Sequence, residues 1–223
     1  MPRKKIKDWD IRKEFIKRNL DFFKSTFFVN ELGVNSKNIM DVAALDFNNN
    51  IFYGFEIKSE ADNLKRLYKQ LSTYSTFFNI LYVVSHHKHT EAIATLIQNN
   101  PFMRNVGYIE VSDDLDFKEL RKAKLATPRF DTFIRNLDMD ELSILCESKG
   151  QYMGWESKNL LVDKIKRLVT LDEVYGHLQN KITRYYYKTC PHCGSHLYYN
   201  KTDRTGKLVS FCYECEKSFK DLN

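Results

Sequence analysis

Two groups of residues in this chain carry the types and spacing that chemistry needs. Asp41, Glu56 and Lys58 stand in a stretch that is otherwise apolar, with Ala43, Ala44, Phe55 and Ile57 among their neighbours. Further on, Cys190 and Cys193 form one Cys-x-x-Cys pair and Cys212 and Cys215 a second, eighteen residues apart. Strand positions disfavour Asp, Glu and Lys, so the first group is costly as plain structure. Two carboxylates held together repel each other unless a cation joins them. A hard divalent ion such as Mg2+ or Mn2+ suits that place, because it takes oxygen ligands and keeps waters. It would activate water and stabilise charge on a phosphoryl oxygen. Lys58 is then free to orient the attacking water or to neutralise the phosphate. The plainer alternative is a surface ion pair.

The elements around this group must bring its members together. Residues 40–47 and 51–58 read as two extended runs joined at Asn48-Asn49-Asn50, a plausible hairpin turn because Asn tolerates left-handed backbone angles. A turn centred on Asn49 sets Asp41 opposite Ile57, beside Glu56 and Lys58. The two-residue period puts Glu56 and Lys58 on one face, and a one-residue change of register adds Asp41. Residues 9–29 read as one or two helices and 60–78 as another. A buried strand follows at Ile80–Val84, then a helix near Thr90–Gln98 and a strand near Gly107–Val111. Pro128 marks a boundary, and residues 131–182 read as all-helical with Gly150 and Gly154 spacing the helices.

Asp41-x14-Glu56-x-Lys58 resembles the signature of the PD-(D/E)XK nuclease superfamily. Gln70-x-x-x-Tyr74 in the following helix is similar to the Gln-x-x-x-Tyr motif of its RecB-like branch, although a Tyr on an apolar helix face is commonly core. More narrowly, the run from Gly54 through Asp62, Leu64 and Arg66 to Gln70 resembles a small family of bacterial and phage nuclease-like proteins with a helical tail. The resemblance covers about the first four-fifths of the chain. It implies an α/β restriction-endonuclease-like core with a mixed sheet, in the order helix, three strands, helix, strand. It also implies a metal set of Asp41, Glu56 and Ile57, catalytic assistance from Lys58, Gln70 and Tyr74, and an extra acid at Glu31, ahead of the first strand. The sequence departs from the pattern in two ways: no Pro precedes Asp41, and the strand before it is weak.

Four thiolates at Cys190, Cys193, Cys212 and Cys215 have the spacing of a tetrahedral zinc ribbon, and the metal would supply folding energy to so small a module. His192 and His196 fall outside a shell that four cysteines already fill; Cys146 reads as an ordinary buried thiol. Around the pairs lie Tyr185, Tyr186, Tyr187, Tyr198, Tyr199, Phe211 and Tyr213, interleaved with Lys188, Lys201, Arg204 and Lys207. With Arg66, these cations are the candidate nucleic-acid contacts; the tyrosines would either stack on bases or pack the module's own core.

The formal charge is +6, with nine Lys or Arg against four acids in residues 1–24, which favours a polyanionic partner. No run is long and apolar enough to cross a membrane, and the charged N-terminal stretch lacks a signal peptide's apolar core, so a cytoplasmic protein is expected. The sequence therefore predicts a nuclease core over 1–127, a helical subdomain over 128–182, weakly similar to SAP-like DNA-binding domains, and a zinc ribbon over 183–223. The expected function is Mg2+- or Mn2+-dependent hydrolysis of DNA, with RNA left open. The rival readings are a non-catalytic nucleic-acid-binding protein and a zinc-ribbon protein that docks on another protein.

Overall fold

A computed structural model describes residues 5–35, 37–151, 157–202 and 208–219. Helix α1 (Asp8–Arg18) presents Ile11, Phe15 and Ile16 along one stripe, and a short α2 (Leu20–Ser25) follows it. Three strands then form an antiparallel meander: β1 (Phe27–Asn35), β2 (Asn38–Asp46) and β3 (Ile51–Lys58). Helix α3 (Leu67–Tyr74) leads to β4 (Ile80–His86), and α4 (Thr90–Gln98) leads to β5 (Gly107–Val111). Both β4 and β5 run parallel to β3, and β6 (Phe117–Arg121) closes the sheet antiparallel to β5. The six strands lie in sequence order. The protein is thus a mixed α/β fold.

The predicted hairpin is present, with a register one residue from that of a turn centred on Asn49. Asp46 pairs with Ile51, leaving Phe47–Asn50 as the loop. Asp46 Oδ1 accepts the N–H groups of Asn48 and Asn49, and Asn50 takes a left-handed φ of 52°. One strand read as weak in the sequence, and another escaped the reading. Residues 27–29, read as helix, open β1, and the charged β6 lacks apolar alternation. The helix expected over 60–78 is confined to Leu67–Tyr74.

One sheet face carries Ala43, Leu45 and Phe52 against Leu67, Leu71 and Tyr74 of α3 and against the C-terminal helices. Those helices are α5 (Phe130–Asn136), α6 (Met139–Glu147), α7 (Lys158–Leu168) and α8 (Leu171–Tyr186). Asp138 with Glu141 and Thr170 with Glu173 form capping boxes that start α6 and α8. Phe133 packs 4.8 Å from Phe77, and Tyr175 packs 4.9 Å from Phe52, between ring centres. The helical segment therefore shares the core of the sheet. Cys146 is buried within it, as expected.

The opposite face carries Val42, Ala44, Phe55 and Ile57 against Ile11, Phe15, Ile16 and Phe23. This second core also takes Leu197, Tyr199 and Tyr213 from the C-terminal module, built from β7 (Tyr198–Thr202), β8 (Leu208–Cys212) and β9 (Ser218–Phe219). Trp9 packs tilted against Tyr199 at 3.8 Å and stacks on Tyr213 at 5.6 Å, between ring centres. Each such side chain removed from water contributes roughly 1.5–3 kcal/mol. Among the described residues no helix is long and apolar enough to cross a membrane.

Candidate acidic site and cysteine cluster

Strand register assembles the acidic group. Asn30 pairs with Val42 and Leu32 with Met40, so Glu31 and Asp41 lie between the same two rungs. The β2–β3 ladder ends at Val42 and Phe55, and one residue further along each strand Asp41 and Glu56 lie close enough for their charges to interact. Glu31, Asp41 and Glu56 thus form one row across β1, β2 and β3. Glu31 is supplied from within β1 rather than ahead of the first strand, and it adopts a left-handed φ of 61°. That conformation is uncommon for a residue with a side chain and carries a strain cost.

Packing holds the row in place. Gly54 lies two residues before Glu56 on the same face; a Cβ there would sit 2.9 Å from Phe78 and from Met40. Only glycine lets β3 lie this close to Met40 of β2 and to Phe78, in the segment between α3 and β4. Tyr74 is fully buried, and its hydroxyl donates to the Ile39 carbonyl at 2.7 Å, tying α3 to the start of β2. Gln70, one turn earlier, faces both Glu56 and Tyr74. Ile57 meets the site through its main chain alone: its side chain is buried in the second core, and its N–H donates to Asp41 Oδ2 at 2.7 Å.

Arg12 and Asp8, which the sequence reading counted only in the N-terminal charge balance, complete the group. Arg12 of α1, only 6% exposed, reaches Asp41. Its Nη2 donates to Asp8 at 2.9 Å and to Asp41 Oδ1 at 3.3 Å; its Nη1 donates to Asn30 at 3.0 Å and to Glu31 at 3.4 Å. Lys58 donates to Glu56 Oε1 at 2.5 Å. The i,i+4 spacing of Asp8 and Arg12 is visible in the sequence, but it does not say that the pair faces Asp41.

Four carboxylates (Asp8, Glu31, Asp41, Glu56) stand against two cations (Arg12, Lys58), so the fully ionised group lacks two positive charges. The buried carboxyl groups Asp8, Asp41 and Glu56 respond with raised pKa values. Burial, then the Glu56 charge beside it, pushes Asp41 up to about 8 against the pull of Arg12. Burial also raises Glu56, against the opposing effect of Lys58 and Gln70, and raises Asp8. Glu56, 1% exposed, keeps one oxygen, Oε2, outside any well-formed hydrogen bond although the Gln70 and Tyr74 side chains lie beside it, and Gln70 Oε1 is buried in the same condition. Buried acceptor oxygens outside any well-formed hydrogen bond, in a group that full ionisation would leave short of two positive charges, have the chemistry of a hard-cation site.

The cysteines converge as their spacing predicts. Cys190 Sγ lies 3.6 Å from Cys215 Sγ, Cys193 Sγ lies 3.7 Å from Cys212 Sγ, and all four lie within 4.8 Å of one another. A tetrahedral ion with metal–sulfur bonds near 2.3 Å requires sulfurs about 3.8 Å apart. The four thiols are therefore placed to hold a metal ion. A second cluster is hydrogen-bonded as it stands. His86 and His87 place Nε2 at 2.8 and 3.0 Å from Asp113 Oδ1. His86 Nδ1 accepts the Lys88 N–H, so the ring's own proton sits on Nε2 and donates to Asp113.

The candidate nucleic-acid contacts are dispersed. Arg66 is exposed at the start of α3, and Lys188 borders a cavity of about 180 Å3 shared with Glu31, Tyr185 and Tyr199. Lys201 lies in β7, while Arg204 and Lys207 fall outside the described residues. Of the aromatics, Tyr198, Tyr199 and Tyr213 are buried, whereas Tyr185 and Tyr187 are exposed. Much of the N-terminal positive charge is also engaged internally. Lys13 and Lys17 pair with Glu216, Lys24 with Glu214, and Arg18 with Glu14 and Asp116.

The family model described as bacteriophage P4 protein cII matches residues 5–194. The chain belongs to this phage protein family. The matched span takes in the whole acidic row, α1, the sheet and the C-terminal helices, and it ends between the two cysteine pairs. No curated protein and no solved structure matches the chain.

Proposed function

We propose that this protein is a metal-dependent nuclease that hydrolyses phosphodiester bonds in DNA. The observation that carries the reading is the buried Glu56 carboxylate, set beside Asp41 with one oxygen outside any well-formed hydrogen bond. Asp41 and Glu56 would hold Mg2+ or Mn2+, with the Ile57 main chain beside them, and the ion would supply an activated water and a counter-charge for a phosphoryl oxygen. Lys58, already on Glu56, is positioned to stabilise negative charge that builds on the phosphate. Gln70 orients Glu56, and Tyr74 secures the strand that bears Asp41. The order helix, three antiparallel strands, helix, parallel strand agrees with what the resemblance to PD-(D/E)XK nucleases implies. Zinc on the four cysteines would fix the C-terminal module, whose outward contributions to nucleic-acid contact are Lys188, Tyr185 and Tyr187.

The test is to incubate the protein with plasmid, linear and single-stranded DNA, with and without Mg2+ or Mn2+. Cleavage by the wild type that requires the ion, and is abolished in Glu56→Gln, is the expected result. Failure to cut any of the three with either ion would overturn the reading. One observation favours a second reading, a nucleic-acid-binding protein without catalysis: Arg12 and Lys58 already pair with the two carboxylates. Binding without cleavage in the same experiment would select it.

A further inference from the structure

We infer that the cysteine module is an arm of the acidic site, with Tyr213 as a positioning residue that acts through Asn30 on Arg12 and Asp41. Tyr213 directly follows the ligand Cys212, in the turn that leads to Cys215. Its side chain is fully buried, and its hydroxyl donates to Asn30 Oδ1 at 3.3 Å. The same oxygen accepts Arg12 Nη1 at 3.0 Å, and Arg12 Nη2 in turn donates to Asp41 Oδ1 at 3.3 Å. An unbroken chain of hydrogen bonds therefore runs from the metal-binding turn to the carboxylate that would hold the divalent ion.

The rest of the turn is anchored on the same helix pair. Glu214 and Glu216, on either side of Cys215, pair with Lys24 of α2 and with Lys13 and Lys17 of α1. Trp9, three residues before Arg12, packs against Tyr199 and stacks on Tyr213. A docked module of this kind fixes where α1 sits along its axis, and with it where the Arg12 guanidinium meets Asp41. A metal on the four thiols holds the turn; without it the turn, Tyr213 and the Trp9 stack lose their common anchor. Zinc occupancy thus sets how well the acidic site is organised, although the cysteines take no part in it.

The inference rests on the reading of Asp41 and Glu56 as divalent-ion ligands, and the test separates the two. Full-length protein carrying Trp155→Phe leaves Trp9 as its one tryptophan. Mn2+ affinity is measured by electron paramagnetic resonance of the free ion, together with zinc content and Trp9 emission. Tyr213→Phe should keep its zinc and its Trp9 emission yet bind Mn2+ about three- to tenfold more weakly, the loss expected for one neutral hydrogen bond. Asn30→Ala, which leaves the module's own residues intact, should weaken Mn2+ in the same way. Removing zinc with a thiol-reactive mercurial should shift Trp9 emission to the red and weaken Mn2+ further. Unchanged Mn2+ affinity in both variants would overturn the inference while leaving the metal reading in place. A wild type that binds no Mn2+ overturns both.

Discussion

Replacing Asp41 by Asn should stabilise the protein above neutral pH when no divalent ion is added. Burial and the adjacent Glu56 push the Asp41 carboxyl up to about 8, from 3.8 for an ordinary Asp. The fold therefore binds a proton that the unfolded chain releases over this interval. Stability from this group is fully present below pH 3.8 and is lost as pH rises toward 8. At about 1.4 kcal/mol per pH unit, the loss reaches a ceiling of about 5 kcal/mol at pH 7.5. Titration shared with Glu56 and the side chain's residual 23% exposure reduce that figure. Asn keeps an acceptor for the Ile57 N–H but gives up the charge on its bond to Arg12, a loss of about 1.5–3 kcal/mol. The net gain for Asp41→Asn is then about 1–3 kcal/mol at pH 8. Urea unfolding of both proteins between pH 7 and 8.5 measures it. The window starts at 7 because burial lowers His89 and His177, whose contributions rise with pH only up to their unfolded value of 6.5. The gap should widen with pH, and added Mn2+ should close it by stabilising the wild type alone. A gap that stays constant with pH, or an Asn variant that is less stable throughout, would refute the reasoning.

Three further outcomes follow from the packing and the thiol geometry. Gly54→Ala forces a methyl to within 2.9 Å of Phe78 and Met40, and should cost about 1–3 kcal/mol in urea unfolding while moving the strand that bears Glu56. Purified protein should carry about one zinc per chain by elemental analysis, and Cys212→Ser should lose it. Truncation after Tyr187 strips Leu197, Tyr199 and Tyr213 from the second core, so thermal unfolding should occur well below that of the full chain; an unchanged Tm would show that the module is only loosely attached.

The sequence by itself determined the parts whose causes are local. Apolar alternation and an asparagine turn defined the β2–β3 hairpin, with Asn50 in the left-handed conformation that its type tolerates. The Cys-x-x-Cys spacing defined a four-thiol cluster, because two tight turns on a small hairpin leave the sulfurs one arrangement. The two-residue period placed Glu56 and Lys58 on one face, and helical periodicity located α3 and the C-terminal helices. The tertiary structure decided what depends on partners distant in the chain. A one-residue shift of register put Asp41 beside Glu56, and pairing with β2 turned residues 27–35 into a strand that carries Glu31. The N-terminal cations read from the sequence as a face for a polyanion; folding turned several of them toward Glu214, Glu216 and Asp41. Burial raised the carboxyl pKa values, and the docking of the cysteine module on α1 linked Tyr213 to Arg12 across 201 residues of sequence. Electrostatic and packing energies depend on distance in space, and only the closed fold brings these groups near enough to act on one another.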